Sequence, residues 1–598
     1  MSDSDDRHDV DRSRRRLLAV TGAGAVTALA GCGGDGDDDG TGDDGTGDDG
    51  TGDDGTGDDG TGDDGMDDGT GDDDDGDGMM DIPMDGNFVG SAGANPSTFD
   101  PTIIADATSA SVCGTMCYER LVDLTFDLAE IRPALATEWE QLDETTFNFT
   151  LREGVEFHNG EQFTAEDVAF SIERMRGTTN DATVSWIDNV EVLGDFEVEI
   201  TGAEPHAPFL NDLSAVPILP SGVDGISENP QEDSFAFDSQ SVGTGPFILD
   251  NFEPEDRVEL VRNEDYWWEG EEMPGMAPWE TVTFRVVPEQ VSQQEAILAG
   301  ELDMIDNPAP FELDIFDGED PEVVSTPAVG FDFVSFPVNA EPFTNAKFRR
   351  GMARLVPTGD IIEAIFGGNA TELAGPISPG LGTFWDPEHE QELLDEWVGQ
   401  NEEEGLRLIE EGLQEQGIEP PVEIDFITNV NRTRERWMEV IQNRMNETEF
   451  INANLDIQEF SQLVPFLLDP EGAAQSSSVV GIGWTGGSDP DGHVAQLIHS
   501  RNHVPDGFNW NLYENEEADT LVDQGKTETD VDERVEIYND LQELLVEESP
   551  SAWMWTGDRI HIVLPDNVTN WQAYPNSSLK YWALYRPTVG QVAWDPEE

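Results

Sequence analysis

The chain has 598 residues and a formal charge of −101 at pH 7, from 129 acidic against 28 basic side chains. Such a charge disfavours a nucleic-acid partner, whose phosphates it would repel, and more than 500 residues of core-forming sequence exceed what one hydrophobic core organises. With three cysteines in all, disulfides are not what holds the fold together.

In chain order, the first element is an export signal. Arg14, Arg15 and Arg16 form a basic cluster, Leu17 to Ala30 is an apolar run too short to span a bilayer, and Leu29-Ala30-Gly31-Cys32 has the form of a lipobox. The alternative is a short N-terminal helix that stays in place. Small residues crowd just before the cysteine and low complexity begins just after it, which favours a signal over residues 1–31 and a mature chain starting at a lipidated Cys32. Ser13 to Leu18, with Arg14 and Arg15, also resembles a twin-arginine export signal. The protein is therefore expected on the extracellular face of the cell membrane, held by a lipid.

Residues 32–81 read as a tether. The repeat TGDDG recurs with a five-residue period and lacks aromatic and branched apolar residues, so it cannot offset the entropy of ordering. A Gly-rich coil of that length has a reach of roughly 40 Å. Removing the 22 aspartates of this tract leaves about −79 on the rest, and lysine is confined to Lys347, Lys526 and Lys580. Acids spread through every segment point to folding in molar salt, where a Debye length of about 3 Å screens self-repulsion. The expected source is a halophilic archaeon. The rival reading, a cation store or a surface for basic partners, would call for a clustered, spaced ligand set, which is not seen.

From about Ile82 the sequence alternates strands and helices. Thr146 to Leu151 alternates strictly, as a half-buried strand does, with Asp143-Glu144 as a turn before it. Thr164 is an N-cap with Asp167 three residues on, followed by Val168, Ile172 and Met175 at helical spacing. Val282, Phe284 and Val286 alternate, Gln290 to Ala299 reads as helix, Gly300 caps it, and Leu302 to Ile305 returns to strand. This β-α-β rhythm predicts open α/β lobes with ligand sites at strand ends or between lobes. Cys113 and Cys117 read as small buried residues rather than a bridge or a metal site.

Several motifs then carry a resemblance. Asn95 to Pro101 (NPSTFDP), Arg132 to Trp139, Leu151 to Glu161 (LREGVEFHNGE), Phe163 to Val168, Gly243 to Phe247 (GTGPF), Arg262 to Trp267 (RNEDYW), Gly300 to Asp303, and Gly483-Trp484 with Asp489-Pro490-Asp491-Gly492 follow in order. Together they resemble the extracellular solute-binding proteins of the oligopeptide, dipeptide and nickel type, family 5. The resemblance spans about residues 87–587. It implies an α/β, class II periplasmic-binding-protein-like fold of two lobes with an inserted extra domain. Lobe I would comprise 82–124, 243–335 and 551–598, the inserted domain 125–242, and lobe III 336–550. It further implies a monomer that captures a peptide or other small polar solute between the lobes and docks on the permease of an ABC importer, whose ATPase subunits are separate chains.

Trp484, Thr485, Asp489 and Asp491 are the candidate solute-binding residues, because this segment builds the cleft in peptide-binding members. The aspartate that such members place three residues beyond the tryptophan is Gly487 here, so only Asp489, from a shifted loop, could replace it. Trp484 either stacks on solute or fills lobe III, and Asp489 and Asp491 either touch solute or shape a turn. His493, His499 and His503 invite a metal reading, but His499 and His503 flank Ser500-Arg501-Asn502, which reads as a solvated loop rather than a rigid helix, so no metal ligation is expected. No cofactor and no catalytic residue is expected: no G-x-S-x-G or H-E-x-x-H occurs, and Gly525-Lys526-Thr527 lacks the earlier glycine of a phosphate loop. The alternatives are a secreted glycosidase-like or other hydrolytic enzyme, since carboxylate pairs abound, and a binding lipoprotein that feeds a sensory partner.

Overall fold

The computed structural model describes residues 86–584 apart from short gaps at 126–127, 129, 271–272, 275–276, 471, 473–476, 506, 566–567, 569–570 and 577–579. Arg14, Arg15, Cys32 and the acidic tract lie outside the described residues.

One 12-stranded sheet organises most of the chain. Ten of its strands run in the order Ile451–Gln458, Val422–Asn429, Val479–Trp484, Phe331–Ser335, Ser551–Val563, Met304–Asp306, Gly86–Ala92, Trp279–Val286, Arg257–Arg262, Phe247–Glu253, and the other two, Glu322–Pro327 and Ala370–Glu372, pair with Ser551–Val563 off this path. Gly86–Ala92 pairs parallel with Trp279–Val286, and Val422–Asn429 pairs parallel with both its neighbours. Helices such as Gln290–Leu298 and Arg432–Asn446 make the crossovers that parallel pairing requires.

Strand Ser551–Val563 joins the two halves of this sheet. Its first residues pair with Phe331–Ser335, Ser335 opposite Ser551, and its last pair with Met304–Asp306, Met304 opposite Val563. With two Trp and two Ile, it is buried along nearly its whole length, as expected of a strand covered on both faces. The sequence WMWTGDRIHIV gives no period-2 alternation, which is why its central place was not predicted.

The second unit is a four-stranded antiparallel sheet, ordered Ala136–Gln141, Thr146–Leu151, Glu197–Gly202, Ile187–Gly194. In Thr146–Leu151 the alternate residues Phe147, Phe149 and Leu151 are buried, as the alternation predicts. Asp143 makes the turn before it by accepting from the Thr145 and Thr146 N–H groups at 2.9 Å. Helix Ala165–Met175 starts with the expected capping box: the Thr164 N–H donates to Asp167 Oδ2 at 2.8 Å. Its Val168, Ile172 and Met175 pack on Phe147 and Phe149 in one apolar cluster. Helix Gln290–Leu298 ends one residue before the predicted limit, and Gly300 follows at φ +70°.

The motifs that carry the resemblance are joints between these units. Asp100 of NPSTFDP and Asp233 pair with the buried Arg174 of helix Ala165–Met175. Trp267 of RNEDYW donates its Nε1–H to the Thr244 carbonyl at 3.0 Å, while the Arg152 guanidinium lies 4.8 Å over its ring. Tyr266 Oη donates to Glu119 Oε1 at 2.6 Å. Gly243 and Gly245 of GTGPF pack against the Cys117 backbone so closely that a Cβ at Gly243 would lie 1.9 Å from its carbonyl oxygen. Cys113 and Cys117 are buried and unbridged on the helical segment 107–117.

Candidate functional site

Trp484 is the last residue of strand Val479–Trp484, every residue of which is buried. Its ring is tilted against Phe508 with centroids 5.5 Å apart, and its Nε1–H donates to the Gly492 carbonyl at 2.9 Å. The residue is 3 % exposed. The chain then turns through Thr485, half-buried, and through Gly486 and Gly487 at φ +57° and +86°. This left-handed backbone favours glycine, so an aspartate at Gly487 would be strained. His493 is fully buried behind the turn, and its Nε2 hydrogen-bonds the Gly487 carbonyl at 2.9 Å. Burial pushes its pKa down to about 4, so the ring is neutral at pH 7 and its Nε2 is the donor.

Asp489 starts helix Pro490–Ile498. Its carboxylate accepts from the Asp491 N–H at 2.9 Å, and Pro490 occupies the first turn, where no N–H is needed. The same carboxylate receives two hydrogen bonds from Arg534, at 2.8 and 2.7 Å. Arg534 is buried on helix Val531–Glu548, between the rings of Phe384 and Tyr538 at 5.1 and 5.4 Å. Asp489 is thus both a helix cap and half of a buried, bidentate ion pair. Asp491 is half-buried with one oxygen, Oδ1, sealed from solvent and without a hydrogen-bond partner. Burial, and then the Asp489 charge, raise its pKa.

The structure therefore brings the four candidate residues onto one strand-turn-helix segment, and it engages two of them internally. The indole N–H of Trp484 and the carboxylate of Asp489 have protein partners, while Asp491 keeps a free carboxylate oxygen. Two further participants were not legible. Arg534 lies 45 positions from Asp489 in an ordinary amphipathic helix, and no local signal marks it. Asp212 of the four-stranded unit is within electrostatic reach of Asp489 and Asp491, and burial raises its pKa to about 6 despite its hydrogen bond to His206.

The three histidines do not converge. His503 Nε2 hydrogen-bonds the Tyr513 carbonyl at 2.8 Å, and His499 Nδ1 accepts from the Arg501 N–H at 3.0 Å while Nε2 faces Asp523 at 3.3 Å. Among the described residues no group of three His, Cys, Asp or Glu side chains is placed to hold a metal ion.

The family described as bacterial extracellular solute-binding proteins, family 5 (middle), matches residues 130–503. Heme-binding protein A of Haemophilus influenzae is 26 % identical over 515 residues, covering 77 % of this chain and 86 % of that protein. The dipeptide-binding protein DppE of Bacillus subtilis is 25 % identical over 491 residues, covering 78 % and 86 %. Among solved structures, HbpA2 of Haemophilus parasuis superposes with a TM-score of 0.71 at 22 % identity, covering 84 % of this chain and all of that one. The oligopeptide-binding protein AppA of Bacillus subtilis, in complex with a nonapeptide, gives 0.65 at 20 %, covering 84 % and 99 %. These superpositions establish the class II periplasmic-binding-protein fold with its extra domain. The chain belongs to the extracellular solute-binding proteins of family 5, the non-enzymatic substrate-binding components of ABC transporters.

Proposed function

We propose that this protein is a lipid-anchored receptor that captures a short peptide or another small polar solute between two lobes and hands it to an ABC permease driven by separate ATPase subunits. The observation that carries the reading is the family match through residues 130–503 on a body whose two half-sheets share one strand, Ser551–Val563. A strand common to both halves suits a hinge, because small backbone rotations there move one half against the other. In this reading lobe I is 82–124, 243–335 and 551–598, the inserted domain is 125–242, and lobe III is 336–550.

The solute class is argued from what the relatives bind and from the segment 484–491. Relatives named for dipeptides, and a solved relative holding a nonapeptide, favour a peptide. Trp484, Thr485 and Asp491 form the wall in this reading, and Asp489 supports it from behind through Arg534. The body is proposed to work in molar salt and to hang from the membrane by Cys32 on the tether of residues 33–81, after export directed by Arg14 and Arg15.

Two measurements test this. Denaturing protein purified in molar salt should release a solute identifiable by mass spectrometry, and protein without any bound or rebindable solute would contradict capture. Cys32→Ser should release the protein from membranes or block its processing, whereas a Cys32→Ser protein still membrane-bound and normally processed would rule out the anchor.

A further inference from the structure

A joint between the four-stranded unit and the helical layer of residues 490–548 has an unusual charge arrangement. The Ala207 N–H donates to the Lys526 carbonyl at 2.7 Å, so the two parts touch through their backbones. Beside that bond His206 stacks on Trp186, with centroids 4.8 Å apart, and its Nε2 lies 2.7 Å from Asp212 Oδ2. Asp212 sits on the short helix Phe209–Leu213, and Asp489 and Asp491, at the start of helix Pro490–Ile498, lie within electrostatic reach of it in the other part. Lys526 and Arg534 complete the charged groups around Asp491, and Tyr538 lies beside Arg534.

The joint is short of protons. Arg534 compensates Asp489 through two hydrogen bonds, and His206 partners Asp212. Asp491 is left with Lys526 as its nearest uncommitted cation, and its Oδ1 has no donor. On the opposite side His206, 7 % exposed, keeps a buried Nδ1 without a partner. Three carboxyls meeting at a part-buried joint repel one another, and the least costly relief is to protonate one or two of them.

We propose that the contact of His206, Ala207 and Asp212 with Asp491 and Lys526 is a pH-gated latch, joined in mild acid and released towards neutral pH. It rests on the reading of a two-lobed capture protein, because a latch matters only where two parts open and close. The direction follows from proton linkage. Burial, reinforced by Asp489 and Asp491, raises Asp212 from 3.8 to about 6, and burial raises Asp491. Both carboxyls therefore hold protons more tightly when the joint is formed than when water surrounds them. The stabilisation is complete below the ordinary carboxylate range and is lost as the pH rises through about 6. For Asp212 the full difference between about 6 and 3.8 sets an upper limit of roughly a hundredfold on the joined-to-separated ratio, because only the part of the shift that the joint itself causes is lost on separation. Because its side chain is 26 % exposed, water reduces this, and roughly tenfold is the expected change.

The test is small-angle scattering of the full chain at constant molar potassium chloride between pH 4.5 and 7.5. The wild type should expand as the pH rises through about 6, whereas Asp212→Asn/Asp491→Asn should remain compact throughout, with far-UV circular dichroism confirming its fold. Asp212→Asn alone, the milder change, should show a smaller expansion than the wild type. Equal wild-type dimensions at pH 5 and 7, or variants that expand as the wild type does, would overturn the latch. Solute released on denaturation is measured on the same preparations. Solute present without pH-dependent expansion removes the latch and leaves capture standing, and expansion without any solute does the reverse.

Discussion

Replacing Arg534 by methionine should destabilise the protein more than any ordinary surface change, and the structure gives the size. Arg534 and Asp489 side chains are 6 % and 11 % exposed and joined by two short hydrogen bonds. Removing one member of such a pair leaves the other charge buried and uncompensated, at a cost of about 3–5 kcal/mol. Arg534→Met also loses the bond from Nε to the Gly525 carbonyl at 2.7 Å, so the upper half of that range is expected. Asp489→Asn keeps a side chain able to cap the helix but strands the guanidinium, and should cost nearly as much. In the double variant neither charge is stranded, so the two costs should fall short of additive by at least about 1.5 kcal/mol. The assay is denaturant unfolding in molar potassium chloride, followed by tryptophan fluorescence, for the four proteins of the cycle. Additive single costs below about 1 kcal/mol each would mean that the pair is screened as a surface pair is, and the account of Asp489 as a buried structural partner would fail. An Asp489→Asn protein of unchanged stability that no longer binds solute would place Asp489 in the solute wall instead.

Three other outcomes follow from the same geometry. Trp484→Phe, which keeps a ring against Phe508 but loses the bond to Gly492, should fold and bind solute roughly tenfold more weakly, about 1.4 kcal/mol by titration; unchanged affinity would remove Trp484 from the wall. Lowering salt from molar to about 0.1 M lengthens the Debye length from roughly 3 to 10 Å and should lower the melting temperature; an unchanged melting temperature would refute the salt argument. Burial raises Glu390, whose carboxylate accepts from the Ala374 N–H, to about 7, so its contribution is fully present below about pH 4.5 and is lost as the pH rises through 7. Glu390→Gln should therefore flatten the stability profile between pH 5 and 8 by up to about 3 kcal/mol, and a profile as steep as the wild type's would contradict this.

Local signals carried the parts of the fold that local physics decides. The alternation of Thr146–Leu151, the turn at Asp143 and the capping box at Thr164 involve groups a few residues apart, and each stands where the sequence placed it. The segment from Trp484 to Asp491 was legible as a candidate by its resemblance. Its inner wiring was not, because the partner of Asp489 is 45 residues away and that of the Trp484 indole is a backbone carbonyl whose position depends on two left-handed glycines. Strand Ser551–Val563 escaped for another reason: burial on both faces erases the alternation by which a strand is recognised. Asp212 and His206 reach Asp491 only through the docking of two units, which no periodicity encodes.

The central claim is solute capture without chemistry, and calorimetric titration of the released solute into stripped protein, in molar salt, tests it most directly. The account predicts saturable binding of one solute per chain, a negative heat-capacity change from surface buried on closing, and recovery of the solute unaltered. No saturable binding, or a solute returned as a different molecule, would contradict it.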